Sequence, residues 1–150
     1  MQSRGLIVFI DAIANYFTST TGTEAIVGTP FLAKDVTEYI EDYTGIIGIS
    51  GSKKGSIVFS APSRMMCRVV QCMGLSSTRE EELMDLVGEV CNTVSGNARR
   101  EFGENFNITV PITIKGKPEN FAVSEITNIF IIPIEWSRLR ANLIVNLEDS

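Results

Sequence analysis

The chain has 150 residues, 44% of them hydrophobic and 21% charged, the composition of a globular chain with a sizeable core and not of a disordered or fibrous one. A net charge of −5, with its Lys and Arg scattered and forming no run, argues against a nucleic-acid or anionic-membrane surface. There is no histidine, which removes Ser-His-Asp and Cys-His nucleophile activation and the usual zinc sites, so any chemistry must use carboxylates, amides, hydroxyls, Lys or Arg.

In chain order, residues 6–21 are expected to form an amphipathic helix that ends in the breaker-rich TSTTGT. Its start could be mistaken for a signal peptide. Asp11 breaks the apolar run, however, and no small-residue cleavage site follows. No apolar stretch of about 18 residues occurs, so no transmembrane helix is expected. The run 24-EAIVGTPFL-32 reads as a strand interrupted by Gly28 and Pro30, which suits a sheet edge. A polar segment leads to Tyr43. Then 44-TGIIGISGSKKGSIVFS-60 reads as a hairpin around 51-GSKKG-55; the glycines do not fit a phosphate loop, and no helix start follows Lys53 or Lys54.

Pro62 suits the first turn of a second helix over 62–74, closed by Gly74. Ser76, Ser77 or Thr78 is expected to cap a long third helix, with Glu80, Glu81 and Glu82 in its first turn favoured by the helix dipole. After Gly103, strands are expected near 106–115, 126–134 and 139–148, with turns at 116-GKPEN-120 and 135-EWSRL-139. The order of helix, three strands, two helices and three strands predicts one α+β domain over 1–150, with a mainly antiparallel sheet flanked by helices. Cys67, Cys72 and Cys91 are an odd number without CxxC spacing, so reduced thiols in a cytoplasmic protein are expected, Cys67 and Cys91 as small core residues.

The long helix holds an anomaly, 88-GEVCNTVSGN-97, rich in residues that suit a helix interior poorly. Each interior Gly costs about 0.8–1.0 kcal/mol relative to Ala, roughly 2 kcal/mol for Gly88 and Gly96 together. Leu83, Leu86, Val87, Val90, Cys91, Val94, Ala98 and Phe102 recur at steps of three and four and predict the core-facing stripe. Asp85, Glu89, Asn92 and Gly96 fall in a narrow arc almost opposite, an exposed polar line. Asp85 and Glu89 repel at i and i+4, so the line is not optimised for helix stability. Glu89 and Asn92, three apart, emerge side by side; a carboxylate can grip a cation while a carboxamide aims a water, as phosphoryl-transfer hydrolysis requires. From the residues alone, the line reads first as a solvated helix face and only second as a site. Asn97 borders the apolar stripe and is expected to satisfy backbone near the core.

The run 85-DLVGEVCNTVSGNARREF-102 resembles the motif helix of the CheC/CheX/FliY phosphatases, with the pattern Asp/Ser-xxx-Glu-xx-Asn at Asp85, Glu89 and Asn92. Gly96-Asn97-Ala98 is similar to the family's continuation, and 45-GIIGISGSKKGSIVFSAP-62 and 108-ITVPITIKG-116 are similar in the same order. A single copy of the motif matches CheX better than CheC, which carries two. The resemblance implies a CheC-like fold and dephosphorylation of a phosphorylated CheY-like response regulator. It gives Asn92 the role of orienting the water that attacks the aspartyl phosphate, and Glu89 that of pairing with the regulator's lysine. Asp85, Gly88 and Gly96 would contact the partner, small residues letting it approach. The resemblance implies no cofactor of the chain's own, Mg²⁺ on the regulator, and a homodimer joined through edge strands. The family's downstream proline falls about 22 residues after its Asn; Pro111 is the better candidate here and Pro118 the other, and neither is given a catalytic role. Two further classes stay open: a non-catalytic dimeric adaptor that sequesters a regulator, and a helix–helix dimer contact through Gly88 and Gly96.

Overall fold

The computed structural model describes residues 3–76, 78–117 and 128–149. Helix α1 (Ser3–Thr21) is followed by two short strands, β1 (Ile26–Val27) and β2 (Phe31–Ala33), and by a hairpin of β3 (Tyr43–Gly51) and β4 (Lys53–Ala61). Helices α2 (Ser63–Cys72) and α3 (Glu80–Phe102) come next, then β5 (Phe106–Ile108), β6 (Ile112–Lys115), β7 (Ile129–Trp136) and β8 (Leu139–Asp149). The strands make one sheet in the order β1-β7-β8-β4-β3-β5, with β2 also on β7 and β6 also on β3. Every pairing is antiparallel, as expected of the α+β class.

Alternation sorts the strand residues onto two faces. Tyr43, Ile47 and Ile49 of β3, Ile57 and Phe59 of β4, and Leu143, Val145 and Leu147 of β8 point to one face. There they meet Phe9, Ile13 and Phe17 of α1, Met65 and Val69 of α2, and the apolar stripe of α3 in a single core. Val58, Ile129, Ile131 and Ile144 point to the other face and pack under Val36 and Ile40. The three α-helices of the described residues thus lie on one side of the sheet.

The ends of the elements depart from the sequence expectations for local reasons. The strand expected over 24–32 is two strands on the sheet edge, divided at Gly28 and Pro30. Likewise the strand over 106–115 divides at Pro111, which has no N–H to give the ladder. Across that break Thr109 keeps hold of β3: its N–H donates to Gly48 O at 3.0 Å, and its hydroxyl accepts from Gly48 N–H at 2.9 Å. The hairpin turn falls where 51-GSKKG-55 placed it, since the last β3–β4 pair is Ile49 with Gly55 and residues 50–54 connect the two. Lys53 and Lys54 already pair with Asp149 and Glu148 of β8, and Lys53 Nζ closes an ion pair on Asp149 Oδ1 at 2.6 Å. Gly51 suits this connection, with φ of 96° and no room for a Cβ beside Asn105 O.

Pro62 precedes α2 as its cap rather than occupying its first turn, and the Ser63 N–H donates to Asp42 Oδ2 at 2.7 Å instead. Gly74 does end α2, with Leu75 N–H on Val70 O and Gly74 N–H on Gln71 O, the two bonds of a Schellman motif. The expected Ser or Thr cap of α3 is not used. Arg79 stands at the cap without a side-chain bond to the helix backbone, and its guanidinium reaches Glu82 Oε1 at 2.9 Å. The β7–β8 turn is built by Ser137 and Arg138, both at positive φ. Pro118, residues 118–120 of the expected turn and 126–127 of the expected strand lie outside the described residues, as does Ser77.

Candidate functional site

The glycines of the anomalous stretch have separate explanations. Gly88 is buried. A Cβ on it would stand 3.0 Å from Thr113 Cγ2 and 3.7 Å from Pro111 Cβ. Facing it on β3, a Cβ on Gly45 would meet Val87 O at 3.0 Å and Gly88 Cα at 3.2 Å. Two glycines therefore let α3 lie directly on the sheet, and the expectation that Gly88 admits a partner is corrected: its missing side chain is filled from within the fold. Gly96 differs. Among the described residues a Cβ there would meet nothing within 4 Å, so no contact with them requires a glycine.

The polar line is where the spacing placed it. Asp85, Glu89 and Asn92 are exposed, and Gly96 is half-buried one turn on. Among the described residues the side chains of Asp85 and Asn92 make no hydrogen bond or ion pair, and that of Glu89 no hydrogen bond. The stripe that fixes this orientation is buried from Leu83 to Ala98, with Val87, Val90, Cys91 and Val94 fully enclosed. Cys91 Sγ donates to Ile57 O at 3.3 Å, tying the underside of the site to β4. At its start, α3 is held by Lys115 of β6, whose Nζ lies 2.8 Å from Glu80 Oε1.

Two walls flank the line. On one side α1 runs alongside α3, leaving a groove of about 340 Å³ lined by Asn15, Tyr16, Thr20, Glu89, Thr93 and Asn97. Burial, and after it the charge of Glu89, push the Tyr16 phenol up to about 12, so it stays protonated beside the carboxylate. Nothing in the residues around Tyr16 marks it as a neighbour of Glu89, because the contact arises from helix packing. Asn97 is half-buried on this groove and its side chain makes no hydrogen bond to backbone among the described residues, which corrects the role expected for it. On the other side, Pro111 packs against Gly88 at the break between β5 and β6.

Chemically, the line offers an unneutralised carboxylate and a free carboxamide on a rigid, convex support. Among the described residues no group of three or more Cys, Asp and Glu could hold a metal. The thiols carry no site either. Burial pushes the Cys91 thiol up to about 12, while Cys72 is exposed. At pH 8 the Cys91 thiolate fraction is on the order of 10⁻⁴, so iodoacetamide is expected to label Cys72 and spare Cys91 in the folded protein, as peptide mass spectrometry would show. Equal labelling of both would contradict the packing of α3 on β4.

Comparison with known proteins places this geometry. The chain is 25% identical over 123 residues, 78% of its own length and 79% of the relative's, to the CheY-P phosphatase CheX of Thermotoga maritima. It superposes on the CheC-like superfamily protein from Shewanella sp. PV-4 with a TM-score of 0.85 at 28% identity, covering 99% of each chain. It shares the fold of the CheX in the CheX–CheY–BeF₃–Mg²⁺ complex from Borrelia burgdorferi, with a TM-score of 0.75 at 20% identity over 96% of this chain and 97% of that one. No helix among the described residues is long and apolar enough to cross a membrane. A sequence model of the family described as chemotaxis phosphatase CheX matches residues 43–135, which include the whole polar line of α3. With more than half of its length matched in this way, the chain belongs to the chemotaxis phosphatase CheX family.

Proposed function

We propose that this protein is a phosphatase of phosphorylated CheY-like response regulators, hydrolysing their aspartyl phosphate in chemotaxis or a related two-component pathway. The observation that carries the reading is the exposed pair Glu89–Asn92, whose side chains make no hydrogen bond among the described residues, on a helix inside the segment that matches the CheX family. Docking brings α3 over the regulator's phosphorylated aspartate. The Asn92 carboxamide accepts a hydrogen bond from a water and holds it in line with the phosphorus. Attack forms the new P–O bond as the aspartyl C–O–P link breaks on its P–O side, and the regulator's carboxylate leaves. Orientation and charge decide the rate of such a step more than a strong base does, which suits a site without histidine.

Glu89 grips a cationic side chain of the regulator, with the Tyr16 phenol packed behind it, and Asp85 and Gly96 meet the partner at either end of the line. Mg²⁺ is held by the regulator and the chain brings no cofactor of its own; the chain acts as one domain over 1–150, in the cytoplasm, with no nucleic acid or membrane as partner. The test is phosphate release from a CheY-like regulator kept phosphorylated by a small phosphodonor. Acceleration by the native protein is expected, lost in Asn92→Ala and, at regulator concentrations below KM, lost in Glu89→Ala as well. A regulator that binds but is not dephosphorylated faster would make the protein a sequestering adaptor.

The chain also forms a homodimer through a sheet edge. Support comes from Ile26 and Leu32 on the edge strands β1 and β2, 68% and 60% exposed, where unpaired strand edges favour addition of another strand. Sedimentation is expected to show a dimer that Leu32→Glu converts to monomer; a native monomer at micromolar concentration would refute this.

A further inference from the structure

The polar line does not stop at Gly96. At about 100° per residue, Arg99 and Arg100 fall on either side of its axis, so they flank its continuation one turn further on. Both are exposed, and among the described residues neither closes an ion pair. Carboxylates are close by. Glu104 shares with the two arginines a surface cavity of about 440 Å³ that also includes Gly96, and Asp11 and Glu101 share another with Arg100. None of them pairs with an arginine, and the guanidiniums remain available. The helix dipole favours cations in a last turn. It does not require two adjacent ones to bracket the line that bears Asn92, beside a glycine that no contact among the described residues demands.

Seven and eight residues of helix separate this pair from Asn92, about 10–12 Å along the axis. A phosphoryl group held at Asn92 is therefore not what the pair would neutralise in the docked complex. Its partner must be a second feature of the same docked protein. The planar guanidinium fork pairs best with carboxylates, and Arg is the residue suited to such contacts at interfaces. Gly96 leaves open space between the two contact points, so a partner surface can lie flat from Glu89 to the arginines. Along α3 the docking face would then run from acidic, at Asp85 and Glu89, to basic, at Arg99 and Arg100. Such polarity permits one orientation of a complementary partner and opposes the reverse.

We propose that Arg99 and Arg100 anchor a carboxylate-bearing patch of the phosphorylated regulator and so set the direction in which it docks on α3, an inference that rests on the phosphatase reading above. The experiment uses the intact protein and a CheY-like regulator, with binding measured on the BeF₃⁻-activated regulator and turnover on the phosphorylated one. Arg99→Glu/Arg100→Glu is expected to raise KM and weaken binding at least about tenfold while kcat moves less than about twofold. Arg99→Ala/Arg100→Ala is expected to have a smaller effect in the same direction. Native binding should weaken with salt more steeply than binding of the reversed variant. Circular dichroism and melting temperature establish that both variants are folded.

Unchanged KM and binding in a folded reversed variant, beside a native protein that is active, would overturn the anchor and leave the phosphatase reading intact. A fall in kcat at constant KM would also overturn it, since the arginines would then act on the phosphoryl group. Arginine-dependent binding without turnover would support the anchor and remove the phosphatase reading. A native protein that neither binds nor hydrolyses would overturn both.

Discussion

Asn92→Ala is expected to lower kcat for regulator dephosphorylation by about 10²–10³-fold while leaving the melting temperature unchanged. The size follows from what the carboxamide does. A water that must be aligned at the phosphorus loses its aim when the group that accepts its hydrogen bond is removed, and misplacement by about 1 Å can lose 10²-fold. Stability is insulated because the Asn92 side chain is exposed and makes no hydrogen bond among the described residues, so its removal leaves none of their buried groups unsatisfied. Exchange of a poor helix former for Ala should if anything favour α3 by a few tenths of a kcal/mol. Asn92→Asp is a sharper probe. It keeps the shape but replaces the amide by a charge that opposes the approach of a phosphoryl group, so kcat is expected to fall at least as far as in the alanine variant. Glu89→Ala differs in kind: losing a docking contact should raise KM, with a smaller effect on kcat. Single-turnover and steady-state kinetics across the three variants check the assignment. If Asn92→Ala keeps native kcat, the water-aiming role is wrong.

Much of this site was legible in the sequence, because an amphipathic helix reports its own exposed face. The stripe from Leu83 to Phe102 determines which side of α3 is buried, and Asp85, Glu89 and Asn92 stand opposite it in the structure. Gly88 lies at the border of the same arc. There periodicity cannot distinguish a glycine that admits a partner from one that admits Thr113 and Pro111, because that depends on where β6 runs. Tyr16 was hidden for the same reason, since its closeness to Glu89 exists only once α1 has packed against α3. The strands were placed to within a few residues where branched apolar runs alternate, and misjudged where a proline cut them. Pro30 and Pro111 each divide one expected strand into two that share a neighbour in the sheet. The cap of α3 was misjudged because Ser76 and Thr78 precede the helix without reaching it, and the acidic first turn with its Arg79–Glu82 contact serves in place of a hydroxyl.

Gly45→Val is expected to destabilise the fold by about 3 kcal/mol, at the upper end of overpacking effects. The nearest neighbours of a Cβ at position 45 are backbone atoms of α3, Val87 O at 3.0 Å and Gly88 Cα at 3.2 Å, which cannot rotate away as the end of a side chain could. To admit the two methyl groups of valine, α3 would have to lift from β3, loosening Val87, Val90 and Cys91, all with no exposed surface. For a chain of this length the loss corresponds to roughly 6–12 °C in melting temperature. Gly96→Ala should do the opposite. With open space over position 96 and helical backbone, alanine is expected to add about 0.8–1.0 kcal/mol. The fold gains nothing from glycine at 96, so a Gly96→Ala variant that melts higher but binds the regulator more weakly would place this glycine in the docking face. Native binding by the more stable variant would reduce position 96 to an ordinary weak point of the helix. A rise in stability with Gly45→Val would mean that α3 does not lie directly on β3, and Glu89 and Asn92 would then lack a rigid support.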